Sequence, residues 1–108
     1  MELAGLFEPP YYAVIFSNIR TEGDAGYAAM AEEMEKLGSQ QPGFLGIDSA
    51  RSGVGITVSY WRTLEDLHAW KAVARHQVAQ KLGKEVWYES YVTRVAKVEY
   101  EYAKPTAS

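Results

Sequence analysis

Between Gly55 and His76 the chain reads GITVSYWRTLEDLHAWKAVARH, and in it a strand gives way to a helix with almost no loop. Ile56, Val58 and Tyr60 alternate with Thr57, Ser59 and Trp61, a period of two rich in β-branched and aromatic residues, which predicts a strand packed on both faces. Thr63 then offers its hydroxyl to the first free amides of a helix. Asp66, three residues on, can reach back, and Glu65 and Asp66 sit where the positive end of the helix dipole favours them. The rest of the chain reads as support for this unit.

The same alternation predicts a first strand over Tyr11–Arg20, with Tyr12, Val14, Phe16 and Asn18 on one face and Tyr11, Ala13, Ile15, Ser17 and Ile19 on the other. Both faces are largely apolar, so both need cover, and with only two helices in the chain the second cover points to another subunit. Met1–Pro10 is a short lead that Pro9 and Pro10 keep from being helical. Thr21–Asp24 supplies turn and cap residues. Tyr27, Met30, Ala31, Met34 and Leu37 then recur at helical spacing opposite Glu32, Glu33, Glu35 and Lys36. Gly38 is placed to end this helix in the left-handed conformation, before a turn at Gln41-Pro42-Gly43. A second strand is expected over Phe44–Ala50, with Arg51-Ser52-Gly53 closing a hairpin into the third. The second helix runs from about Leu64 into the low eighties, where Leu82-Gly83 reads as a stop. A helical turn over 84–87, a long fourth strand from Tyr88 or Glu89 to Tyr102 and a tail over 103–108 complete the chain.

The order is therefore βαββαβ, an α+β, ferredoxin-like arrangement with a four-stranded antiparallel sheet and both helices on one face. It reads as a single domain over 1–108 with its core in 11–102. The opposite face is expected to hold Leu45, Ile47, Trp61 and Val95 or their neighbours without cover, which predicts a two-fold dimer through the sheets.

At 108 residues the chain can bury roughly two thirds of its unfolded surface, enough for a core but not for a core plus a deep cavity of its own. Its aromatic share, 13% with eight tyrosines and three tryptophans, exceeds what packing a domain this small requires. Surplus aromatics serve subunit interfaces or pockets for flat ligands. A net charge of −3 without a Lys/Arg run argues against a nucleic-acid partner. The absence of cysteine removes disulfides, thiol nucleophiles and thiolate metal sites and suits a reducing cytoplasm. The N-terminal residues lack the features of a signal peptide and no membrane-length apolar run occurs, so a soluble, uncleaved cytoplasmic protein is expected, with no membrane partner and no metal.

Three residues stand out chemically. Asn18 shares a strand face with Val14 and Phe16, where an amide that is not hydrogen-bonded costs ~1–3 kcal/mol; its partner is either protein or a ligand oxygen. Trp70 and His76 lie on the second helix about 120° apart with Val73 between them. Trp70 reads either as a core aromatic or as a site donor, and His76 as a surface or dimer-edge imidazole or as a weak base. His68, on the exposed side, is expected to do nothing. Phe16, Val73, Trp61 and Tyr91 are the candidate ligand-binding residues; Trp61, Trp87 and Tyr91 could equally line a dimer interface. Phosphate loops, dinucleotide fingerprints, HExxH and Ser-His-Asp sets are absent, which weakens hydrolase, kinase and nucleotide-dependent readings.

The segments QPGFLGIDSAR, GITVSYWRTLEDLHAWK and WYESYVTRVAKVE resemble the antibiotic biosynthesis monooxygenase family of dimeric α/β barrels, over about Tyr11–Tyr102, and most of all its uncharacterised members. The resemblance implies a cofactor-free monooxygenase acting on a small aromatic or quinol-like molecule. In that chemistry a weak base, here His76, takes a proton, and donors, here Asn18 and the Trp70 indole, hold the anion while oxygen adds. A non-catalytic ligand-binding or stress-related dimer is the alternative from another class. The family's haem-degrading branch uses an Asn on the first strand, a Trp in the second helix and a His further along it. Asn18 and Trp70 match. Near the third position this chain has Gln80, so weak haem binding or none is expected.

Overall fold

A computed structural model describes residues 2–80 and 87–104, the side chains of 77–80 excepted. The elements are β1 (Tyr11–Arg20), α1 (Tyr27–Ser39), β2 (Phe44–Arg51), β3 (Gly55–Trp61), α2 (Leu64–Gln80) and β4 (Tyr88–Val98). They build one antiparallel sheet in the order β2-β3-β1-β4, the ferredoxin-like topology expected from the alternation. The expected stop at Leu82-Gly83 lies outside the described residues, as do most of the helical turn expected over 84–87 and the tail beyond residue 104.

Local chemistry sets the element ends. The Thr63 hydroxyl accepts the Asp66 amide at 3.0 Å and donates to the Asp66 carboxylate at 2.8 Å, so α2 starts where the sequence places it. At α1 the Asp24 carboxylate accepts the Gly26 and Ala28 amides at 2.9 and 3.0 Å, and Gly26 takes the positive φ of 84° that precedes Tyr27. Gly38, by contrast, does not terminate α1. The helix continues to Ser39 with a right-handed cap at Gln40, and Gly43 carries the positive φ of the following turn.

Register fixes the two faces. Across β2, β3, β1 and β4 the rows Arg51–Gly55–Asn18–Tyr91, Ser49–Thr57–Phe16–Thr93 and Ile47–Ser59–Val14–Val95 lie under the helices, with Phe44, Trp61, Tyr12 and Lys97 beyond them. The expectation that Ile47, Trp61 and Val95 lie on the uncovered face is therefore corrected: Trp61 pairs with Tyr12 and packs beneath α2. The core is small, Val14, Trp61 and Leu67 with Tyr12, Phe44 and Trp70 against them.

The other face carries Ile15, Ser17, Ile56, Val58, Tyr60, Val92 and Arg94, and the lead segment covers one end of it. The Ala4 amide donates to Asp48 at 2.7 Å, and Phe7 packs on Tyr11 and Tyr60 at 5.5 and 5.8 Å between ring centroids. Arg62 donates to the carbonyls of Phe7, Glu8 and Pro10, each at 2.6 Å. Glu101 accepts the Phe7 and Glu8 amides and the Tyr11 hydroxyl at 2.6–3.1 Å. This clamp also explains why β4 ends at Val98 and not at Tyr102. Pro9 and Pro10 have no amide hydrogen with which to extend β1 past Tyr11, and Glu101 is drawn to the lead instead.

Candidate functional site

α1 and α2 converge where Gly38 meets Trp70 and leave a cavity of about 510 Å³ between themselves and the sheet. The floor is the helix-side rows of the sheet, the walls are Met30, Ala31 and Met34 from α1 and Trp70, Lys71, Ala74 and Arg75 from α2. The chain thus holds both a core and a cavity, contrary to the expectation from its length, because the core is confined to one end of the sheet.

That end is apolar. Trp70 stacks on Trp61 with centroids 5.8 Å apart and planes 18° apart, and Phe44 meets Trp61 edge-on at 5.5 Å. Trp61 is fully buried, and its indole N–H donates to the Ser59 hydroxyl at 3.0 Å.

The other end is polar and is built from one row of the sheet. Asn18 and Arg51 both pair with Gly55, one from β1 and one from β2, so the glycine lies between them. Having no side chain, Gly55 lets the Arg51 guanidinium cross β3 and donate from Nη2 to Oδ1 of Asn18, which is 4% exposed. A buried amide has found a charged protein donor. Beside it Tyr88 packs edge-on against Phe16 and Tyr27, at 5.3 and 5.7 Å. Burial, and then the hydrogen bond with Tyr27, hold the Tyr88 phenol well above its usual range, with Arg20 and Arg51 opposing. It stays a neutral phenol at physiological pH. The Arg20 guanidinium lies 3.5 Å from the centre of the Tyr27 ring.

Among the residues expected from sequence, Trp70, Trp61 and Phe16 line the cavity, and Asn18 stands behind Arg51 at its polar end. Tyr91 packs on Phe16 at 5.6 Å but is 42% exposed and flanks the cavity. Val73 is half-buried and His76 exposed, and neither is part of the lining: Trp70 and Ala74 face inward, which turns positions 73 and 76 away. Trp87 belongs elsewhere, buried with its indole donating to the Ala25 carbonyl at 2.9 Å. Haem ligated by imidazole does not fit, since His68 and His76 are both exposed and neither lines the cavity.

Sequence reasoning missed Arg51, Tyr27, Tyr88, Lys71 and Arg75 as site residues. A signal for Arg51 was present, since a hairpin with a three-residue turn at 52–54 sets it opposite Gly55.

A family model described as antibiotic biosynthesis monooxygenase matches residues 10–82. The uncharacterized protein YqjZ of Bacillus subtilis is 53% identical over 94 residues, spanning 85% of this chain and 82% of that protein. Among solved structures, a mutant of SnoaB, a cofactor-independent oxygenase from Streptomyces nogalater, superposes with a TM-score of 0.73 at 8% identity, covering 89% of this chain and 100% of that one. Rv0793 from Mycobacterium tuberculosis superposes with a TM-score of 0.69 at 19% identity, covering 86% and 99%.

Proposed function

Because the chain belongs to the antibiotic biosynthesis monooxygenase family, we propose that it is a monooxygenase working without a cofactor on a small aromatic or quinol-like molecule held between the helices and the sheet. The observation that carries this is the cavity's polarity along one axis. Its Trp61–Trp70 end suits a flat ring, and its Arg51–Asn18 end suits a developing anion.

The reaction begins with loss of a proton from an acidic position of the substrate. A guanidinium oriented in advance by Asn18 lowers the cost of that ionisation, as a donor aimed at developing charge does in a site sheltered from water. The electron-rich anion then reduces oxygen by one electron, the two radicals join as a peroxide, and loss of water leaves one oxygen atom in the product. All four electrons that oxygen takes up come from the substrate, two in forming the peroxide and two as the O–O bond breaks and the C–H bond at that carbon gives way to a carbonyl. His76, off the cavity, is an unsuitable base, so the proton passes to solvent at the mouth. Tyr88, kept a neutral phenol, is suited to donate a hydrogen bond to the peroxide oxygen, whose proton comes from solvent.

The oligomer is proposed as a two-fold dimer through the sheet face that the lead leaves uncovered, and the compartment as the cytoplasm. The test is oxygen consumption by purified protein with a panel of phenols and quinols. Asn18→Ala, Arg51→Gln and Trp70→Phe are each expected to lower kcat/KM at least tenfold, roughly 1.4 kcal/mol of transition-state stabilisation. Unchanged turnover in all three would remove the cavity from the chemistry.

A further inference from the structure

The charges around the cavity narrow the ligand class, an inference that rests on the cavity being the substrate site. The chain has a net charge of −3, yet three cations, Arg51, Lys71 and Arg75, border the cavity with one carboxylate, Glu35. Lys71 and Arg75 are four residues apart on α2 and stand one turn above the other on the same wall, a like-charge spacing that opposes the helix unless an anion lies near. Arg51 comes from the sheet side, and among the described residues it commits one of its five N–H groups to Asn18. That bond orients the planar fork without neutralising it, because the amide oxygen it binds carries no formal charge.

We propose that the ligand is an aromatic carboxylate, its ring lying on the Trp70 and Phe16 surfaces and its carboxylate on the Arg51 guanidinium. A planar fork of N–H donors matches the two oxygens of a carboxylate, and of the four N–H groups that Asn18 leaves, two remain for the anion formed on the ring. Lys71 and Arg75 add attraction at longer range, which draws the anion in and weakens with salt.

The test uses two probes of the same shape, 2-naphthoate and neutral 2-naphthamide, titrated into the full chain with tryptophan fluorescence and calorimetry as readouts. Naphthoate is expected to bind about tenfold more tightly or better. Arg51→Gln should reduce that preference to about twofold, weakening naphthoate far more than naphthamide, and Arg51→Lys, which keeps the charge without the fork, should fall between. Equal affinities, or tighter naphthamide, in the unmodified protein would overturn the carboxylate assignment while leaving the aromatic site in place. A preference that survives Arg51→Gln but is lost in Lys71→Gln/Arg75→Gln overturns the role of Arg51. Binding of neither probe up to ~1 mM removes the aromatic site itself, and this proposal with it.

Discussion

Gly38 lies against the indole of Trp70, so close that a methyl group on Gly38 would sit 3.2 Å from Cζ2 and 3.3 Å from Cη2. Trp70 is also stacked on the fully buried Trp61, which has little room to yield. Gly38→Ala therefore sets a helix-propensity gain of about 1 kcal/mol against crowding, and the two nearly cancel. Gly38→Val adds bulk with no such compensation and is expected to cost ~1–3 kcal/mol in urea unfolding and to alter the near-ultraviolet circular dichroism of the tryptophans. A valine variant as stable as the native chain would show that the contact is loose.

Gly55 has the equivalent role at the polar end. A Cβ there would fall on the Arg51 guanidinium, so Gly55→Ala must expel that group, the far end of a flexible side chain, with little movement of backbone. Asn18 then loses its donor in a buried position, at a cost of ~1–3 kcal/mol. Gly55→Ala and Arg51→Ala should each lower stability by a similar amount, and the double variant should be no worse than either. Additive losses in denaturant unfolding would mean that the glycine acts through something other than Arg51.

Trp61 is completely buried between Phe44 and Trp70. Trp61→Ala is expected to lose ~3–5 kcal/mol, which leaves a domain of this size marginal. Trp61→Phe should lose less, keeping a ring but leaving the Ser59 hydroxyl without its indole donor. Thermal melts of the two variants provide the check.

The lead segment makes a prediction in pH. Burial, and then hydrogen bonds to Glu101 and Asp48 respectively, raise the Tyr11 and Tyr60 phenols to about 12 from an ordinary 10.0. Each is favoured in its neutral form by the fold, so its stabilisation is complete below pH 10 and is lost as the pH climbs through about 12. Burial works against the Glu101 charge, but the Tyr11 hydroxyl, the Phe7 and Glu8 amides and Arg62 outweigh it and lower its pKa. Its contribution is therefore present above the ordinary carboxylate range and fades as acid protonates it. An absorbance titration should find three late tyrosinates, Tyr11, Tyr60 and the cavity's Tyr88, and Glu101→Gln should bring Tyr11 forward but neither of the others. Ionisation of all tyrosines near 10 would contradict the clamp.

On the sheet face away from the helices, Ile56 and Val92 are 44% and 49% exposed. Sedimentation equilibrium is expected to give twice the 12.1 kDa of one chain, and Val92→Asp to return the mass to one chain by placing a charge in a face that should be dry. A monomer in the unmodified protein would sink the proposed dimer.

Sequence alone determined what depends on near neighbours. The Tyr11–Arg20 strand and the Thr63–Asp66 cap were legible because alternation and capping involve residues within about four positions of one another. The element order followed, and with it the ferredoxin-like sheet. Tertiary structure decided what depends on register. Whether Trp61 faces the helices follows from the strand that it pairs with, and a slip of one residue would have turned it outward. Arg51 and Asn18 are 33 positions apart and meet only because a three-residue turn and the pairing of β1 with β3 set both opposite Gly55. His76 read from sequence as either a surface imidazole or a weak base, and only the side of α2 that the sheet and α1 enclose decides for the exposed position. A side chain's chemistry is written in its residue type, but its partners are set by pairings between segments distant in sequence, whose geometry exists only once the sheet has closed.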